Sequence, residues 1–161
     1  MARAYKALPP ASELWERFDY KPLTGELVLR KRCGPRSAGS AVGSLTKNGY
    51  LQTSICKQQV YVHRLVFAWC KGEEPCLDID HKDRIKTNNR IWNLRPATRT
   101  QNGWNRAARG TSKVGNRWYA RLSLGNREVY HIPGGFSTEA EAHAAYEKAS
   151  QELHGEFSSV E

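Results

Sequence analysis

The sequence predicts an α+β protein built from two small domains. Three observations carry that prediction. Strand-like runs are short and bounded by turn residues, residues 77 to about 108 read in the order strand, loop, strand, helix, and residues 117–153 read as a hairpin followed by an alanine-rich helix. A chain of 161 residues has room for one ordinary domain or two small ones, and a small, polar, basic stretch at Arg106–Asn116 favours two.

The elements follow in order. Residues 12–18 (SELWERF) predict a short helix started by Ser12, with Leu14, Trp15 and Phe18 apolar. A Thr24–Gly25 turn leads into a strand-like run at Glu26–Lys31. Residues 33–45 are rich in Gly, Ser and Pro and read as a mobile basic loop. GYLQTSIC and QVYV flank Lys57–Gln58 as a hairpin. His63–Lys71 is a compact apolar helix closed by Gly72. A strand around Leu77–His81, a polar loop through Asn89, a strand around Asn93–Ala97 and a helix from Thr98 complete this part. The Thr98–Gln101 spacing is that of a capping box. Beyond the linker, Arg117–Leu124 and Arg127–Ile132 are strand-like and joined by Gly125–Asn126, which suits a two-residue type II′ turn. Thr138–Leu153 is the last helix, with Thr138 and Glu141 in capping-box spacing and Gly155 at its end.

Composition narrows the partners. The net charge is +9, which points to a polyanion. Residues 1–62 carry ten Lys/Arg against four acids, and residues 63–109 carry ten against five. The last part is polarised: Lys113, Arg117, Arg121 and Arg127 come early, and Glu139, Glu141, Glu147, Glu152 and Glu156 come late. No apolar run is long enough to span a membrane and the first residues (MARAYKALPPASELW) lack a signal peptide's apolar stretch, so a cytoplasmic protein without a membrane partner is expected. Cys33, Cys56, Cys70 and Cys76 form no C-x-x-C pair and read as reduced, packing thiols.

Four residues on the strand–loop–strand–helix unit stand out: Asp80, His81, Asn93 and Asn102, spaced D-H-x11-N-x8-N within DIDHKDRIKTNNRIWNLRPATRTQNGWNR. This pattern resembles the HNH endonuclease motif, in the subgroup whose last position is Asn. VHRLVFAW and the GYLQ hairpin are similar to that family's phage and intron-homing members, and the resemblance covers roughly residues 14–106. It implies a ββα-metal fold with an N-terminal β-hairpin extension and one divalent ion, Mg²⁺ first and Mn²⁺ as the alternative. A hard cation binds oxygen ligands and stabilises phosphate charge. The resemblance makes Asp80 and Asn102 the metal ligands, His81 the general base, and Asn93 the residue that accepts a hydrogen bond from the imidazole. Arg84, Lys86, Arg95, Arg99 and Arg106 crowd the motif together with Arg90, and contacts of some of them to the DNA backbone are expected. Asn105 holds phosphate or caps the helix end. Asp83 and Asn89 shape the loop, and His63 contacts phosphate or packs beside the site.

The segment NRWYARLSLGNREVYHIPGGFSTEAEAHAAYEKASQELHGEF looks like the plant ethylene-response-factor (apetala-two) DNA-binding domain. That resemblance implies a three-stranded antiparallel sheet backed by one helix, reading DNA through the sheet. Thr111–Gly115 matches its Arg-rich first strand poorly. Alternation places Trp118, Ala120, Leu122, Leu124 and Val129 on the helix-facing side, and Arg117, Tyr119, Arg121, Ser123 and Tyr130 on the other. Arg117, Tyr119, Arg121 and Tyr130 are the DNA-binding candidates. The expected organisation is a nuclease domain over 1–105 with its core at about 77–108, a linker over 106–116, and a DNA grip over 117–161. The partner is double-stranded DNA, a monomer is favoured, and the host is a bacterium if a phage encodes the protein. Two rivals stay open: a non-catalytic DNA-binding regulator, and a nuclease acting on RNA or branched DNA.

Overall fold

A computed structural model describes residues 7–106 and 110–159. Its residues divide into two compact units between Pro96 and Ala97, and each is described by itself. Of the expected linker, residues 107–109 lie outside the described residues, as do the first six of the chain.

The first unit opens with helix α1 (Ala11–Arg17), which starts on Pro10 with no side-chain cap, so Ser12 is inside the helix and does not begin it. Phe18 leaves the helix for strand β1 (Phe18–Lys21), because alternate residues Phe18 and Tyr20 bury one face. β1 pairs antiparallel with β2 (Glu26–Leu29) in the register Phe18↔Leu29 to Lys21↔Glu26. The expected mobile loop is tied down by backbone hydrogen bonds. Val42 N–H donates to Leu27 O at 2.8 Å, Leu29 N–H donates to Ser40 O at 3.0 Å, and Ser44–Leu45 forms β3. β3 pairs with β4 (Leu51–Ile55), and β4 with β5 (Gln58–Tyr61). The β4–β5 turn falls on Cys56 and Lys57, both at positive φ, one residue before the expected pair. Helix α2 (Val62–Lys71) follows, ended by Gly72 at φ +76° as its sequence forecasts.

α2 is the centre of this unit. Val62, Leu65 and Val66 are at most 1% exposed and pack with Leu14, Phe18, Leu27, Ile55, Ile79 and Leu94. Burial of an aliphatic side chain of this kind contributes roughly 1.5–3 kcal/mol. Arg64 on the same helix is 3% exposed and donates to Leu77 O at 3.1 Å and Pro75 O at 3.0 Å. It thereby fixes the segment that enters β6 (Asp78–His81). β6 pairs with β7 (Leu94–Ala97), and a 3₁₀ turn at Ile91–Asn93 precedes β7.

In the second unit, helix α3 (Arg99–Trp104) carries the forecast capping box, with Thr98 accepting from Gln101 N–H. The sequence reading groups this helix with the strands before it, whereas here it packs within the C-terminal unit, where the Trp104 indole stacks on the His154 ring at 4.3 Å. β8 (Thr111–Val114) forms inside the expected linker by pairing with β9 (Arg117–Gly125), and β10 (Glu128–His131) lies on β9's other edge. Helix α4 (Glu139–His154) has the forecast Thr138–Glu141 box. Ala120 and Leu122 pack with Ala142 and Tyr146, flanked by Trp118, Leu124, Ile132 and Phe136. A three-stranded sheet backed by α4 is the arrangement that the second resemblance implies, whereas the residues by themselves forecast only the β9–β10 hairpin and α4.

One register differs. Asn126 and Arg127 both have positive φ, so they are the turn residues, and the ladder shifts between Glu128 and Val129. Val129 pairs with Ser123 and Tyr130 with Leu122. Cross-strand partners share a face. The shift thus moves Val129 to the arginine-bearing face and Tyr130 to the helix side, the reverse of the alternation read from sequence.

Candidate active site

Asp80 and His81 end β6, both buried at 5% and 4% exposure. Asp80 Oδ2 accepts from Arg95 Nε–H at 2.9 Å, and Arg95 Nη2 lies 2.9 Å from the same oxygen. Arg95 is 7% exposed. It was expected as a surface cation for DNA and is instead the buried partner of the Asp80 carboxylate. The reason is electrostatic: a carboxylate taken out of water needs a paired charge.

His81 Nε2 lies 3.0 Å from Asn89 Oδ1, and Asn89 is 1% exposed. Nε2–H donating to the amide oxygen leaves the acceptor lone pair of the neutral ring on Nδ1. Burial pushes the His81 pKa below its ordinary value, against the opposing pull of the Asn89 hydrogen bond and the Asp83 and Asp80 carboxylates. His81 is therefore a neutral imidazole at pH 7, the form that accepts a proton.

The role expected of Asn93 at the imidazole thus belongs to Asn89 at Nε2. Asn93 works on the loop. Its Nδ2 donates to Asp83 Oδ1 at 2.9 Å and Asn88 O at 2.8 Å, and its Oδ1 accepts from Asp83 N–H at 3.1 Å. Burial disfavours the ionised Asp83, but hydrogen bonds from Asn88, Ile85 N–H and Asn93 outweigh it and lower its pKa. The loop end that presents Asn89 is clamped from the β1–β2 hairpin. Tyr20 hydroxyl donates to Asn89 O at 3.2 Å and accepts from Ile91 N–H at 2.8 Å, and Arg90 Nε–H donates to Leu23 O at 2.7 Å. Gly25 sits at φ +78°, and a Cβ there would stand 2.6 Å from Arg90 N, so only glycine lets the hairpin approach this closely. Nothing in the local sequence couples Tyr20 and Gly25 to Asn89, because they are some 65–70 residues apart.

A cluster of rings closes the other side. His63 is 6% exposed, stacked on Tyr61 (5.3 Å, 11°) and edge-on to His81 (5.1 Å, 87°). Tyr50 lies 6.0 Å from the His81 ring, and Lys86 Nζ sits 5.0 Å over Tyr50 while donating to Asn48 O at 3.0 Å. Lys86 and Arg84 are at the exposed surface.

The donor chemistry suits a hard ion that keeps much of its water. Among the described residues no group of three or more His, Cys, Asp or Glu side chains forms a cage. Asp80 offers carboxylate oxygen, and Mg²⁺ characteristically takes one or two carboxylates plus substrate phosphate.

The second unit holds the remaining candidates. Asn102 lies in α3, half-buried, with its N–H on Thr98 O at 2.9 Å. Asn105 is 5% exposed at the helix C-cap, where its backbone N–H donates to Gln101 O. Arg99, Arg106 and Arg121 line one groove with Thr100, Trp104 and His154. Arg117, Tyr119 and Arg121 are exposed on one face of β9, and Arg117 Nη1 donates to Gly135 O at 2.9 Å. Tyr130 is 40% exposed, on the opposite side of the sheet from those three.

Residues 60–104, the segment that holds this site, match the HNH endonuclease family. Two curated relatives are similar beyond it. An uncharacterized HNH endonuclease of Acanthamoeba polyphaga mimivirus is 32% identical over 122 residues, covering 70% of this chain and 63% of its own length. The DNA endonuclease I-HmuI of Bacillus phage SP01 is 40% identical over 75 residues, covering 44% of this chain and 43% of its own length. This chain thus spans less than two thirds of either relative. A solved structure described as DNA binding and cleavage by the HNH homing endonuclease I-HmuI aligns with a TM-score of 0.43 and 32% identity, over 61% of this chain and 56% of that one.

Proposed function

We propose that the protein is a metal-dependent DNA endonuclease of the homing or nicking kind, encoded by a phage or mobile element and acting as a monomer in the bacterial cytoplasm. The observation that carries this reading is His81. It is a buried imidazole kept neutral, held at Nε2 by Asn89, and next in sequence to a carboxylate that Arg95 fixes.

The chemistry follows from those constraints. Nδ1 of His81 takes a proton from water, and Asn89 stabilises the resulting imidazolium through the opposite nitrogen. Asn93, Asp83 and Asn88 keep the loop from relaxing when that charge appears. Asp80 would hold the divalent ion, with Asn102 as the second ligand by motif position. When bound, that ion supplies positive charge to the phosphate oxygens and the departing 3′ oxygen. Arg84 and Lys86 near the loop, and Arg99, Arg106, Arg117, Tyr119 and Arg121 in the C-terminal unit, contact double-stranded DNA. The C-terminal sheet and helix act as an ethylene-response-factor-like grip over 117–161, beside a nuclease part over 1–105. The distribution of charge supports this, since the glutamates of α4 lie on the helix and not on the arginine-bearing strand face.

The deciding experiment incubates the protein with supercoiled plasmid in Mg²⁺ and in EDTA. Nicked circles form only with Mg²⁺, and His81→Ala abolishes them while DNA binding stays within a few-fold of wild type. Unaltered cutting by His81→Ala refutes the assignment.

A further inference from the structure

We propose that His63 is a further substrate-contacting residue of this site, whose neutral imidazole hydrogen-bonds a non-bridging oxygen of the phosphodiester beside His81. The inference rests on the nuclease reading for its substrate, and on the geometry of α2 for its residue.

The ring is packed on three sides, by Tyr61, Tyr50 and His81, at centroid distances of 5.3, 5.5 and 5.1 Å. Among the described residues no hydrogen bond reaches either of its nitrogens. Yet those nitrogens are not sealed, since the fully buried and unpartnered side-chain atoms among the described residues are Gln58 Oε1 and Trp104 Nε1. The polar edge of a nearly buried ring therefore keeps some access to solvent. Nitrogens with solvent access can exchange water for a ligand acceptor, which a phenyl ring of similar shape could not do. Structural packing alone explains the ring but not its nitrogens.

A phosphodiester oxygen supplies the missing partner. Neutral imidazole has one N–H donor, and a phosphate oxygen is an acceptor that bonds it strongly. Burial, with smaller effects of the nearby His81 and Arg64, pushes the His63 pKa down to about 3. The ring thus stays uncharged through any working pH. A neutral donor adds no charge beside His81 when that ring becomes an imidazolium. His63 is then a hydrogen-bond donor to substrate and takes no part in proton transfer.

The test compares wild type, His63→Phe and His63→Gln. Single-turnover nicking of supercoiled plasmid is measured at saturating protein, and melting temperatures report folding. His63→Phe keeps a ring but loses the donor, and its rate falls roughly 10–100-fold, the range for losing a hydrogen bond to a charged group. His63→Gln restores an N–H and recovers part of the rate. In parallel, imidazole ¹⁵N resonances of wild-type protein are followed as a DNA duplex is added in EDTA, and the His63 signals shift. A wild-type rate in folded His63→Phe overturns the proposal, and so do His63 signals that stay fixed at DNA saturation. If wild type and His81→Ala both fail to nick, the nuclease reading has failed. The resonance titration then decides the phosphate contact by itself.

Discussion

Lowering the pH should unfold this protein by way of His63, and the magnitude can be worked out. The folded ring binds its proton only near pH 3, because it is 6% exposed and the charged form would lose hydration. In the unfolded chain an ordinary histidine titrates near 6.5. Below that value the unfolded state binds a proton that the folded state refuses. The stability contributed by keeping this ring neutral is whole above about pH 6.5 and is lost progressively as pH falls toward 3. At pH 5 the gap is about 1.5 pH units, which is ~2 kcal/mol at 1.36 kcal/mol per unit. That is a large fraction of a small domain's stability. Urea unfolding followed by tryptophan fluorescence at pH 7 and pH 5, for wild type and His63→Phe, isolates the effect. His81 is present in both proteins, so its own titration contributes to both losses. Wild type should lose about 2 kcal/mol more than the variant between the two pH values. Equal losses would show that His63 is not buried as a neutral ring, and the reasoning about its environment fails.

Other outcomes follow from the same geometry. The cleavage rate should rise with pH through a pKa below 6.5 and be flat above it, because burial holds the His81 base under its ordinary value; a rate still climbing at pH 8 contradicts a His81 base. Arg95→Ala leaves the Asp80 carboxylate buried without its partner and should cost about 3–5 kcal/mol in urea unfolding. A loss below about 1 kcal/mol would mean the pair is solvated. Replacing Arg117 and Arg121 together by alanine should weaken duplex binding and reduce the slope of log K against log salt by about 1–2. An unchanged slope would remove the β9 face from the phosphate contacts.

The quartet Asp80, His81, Asn93 and Asn102 was visible in the sequence because it is local: its members span 23 residues, counted from 80 to 102, and their spacing is itself the signal. The caps at Thr98 and Thr138 and the end of α2 at Gly72 were legible for the same reason, since each depends on neighbours within one helical turn. Strand β1 was missed because Phe18 fits a helical stripe as well as a strand. The alternation that decides it, Phe18 with Tyr20, is only two residues long.

The loop between β6 and β7 shows where local reading stops. Asn88, Asn89 and Asn93 are the same residue type, and spacing cannot tell which amide faces the imidazole. Backbone direction decides it, and that direction is set by Tyr20 and Gly25 from a distant hairpin. Arg95 is a parallel case. Its charge forecast a surface contact, but its place on β7 beside β6 put it against Asp80. The one-residue shift in β10 reversed Val129 and Tyr130, because strand side chains alternate and a bulge exchanges the faces.

The sequence by itself determined the α+β class, the strand–loop–strand–helix order, the capping boxes of α3 and α4 and the glycine end of α2, all of which are fixed by neighbours along the chain. Tertiary structure alone decided which amide orients His81, that Arg95 is buried against Asp80, and that His63 stands edge-on beside His81. Those depend on where segments far apart in sequence are brought together, and on the free energy of burying charge and polar groups there.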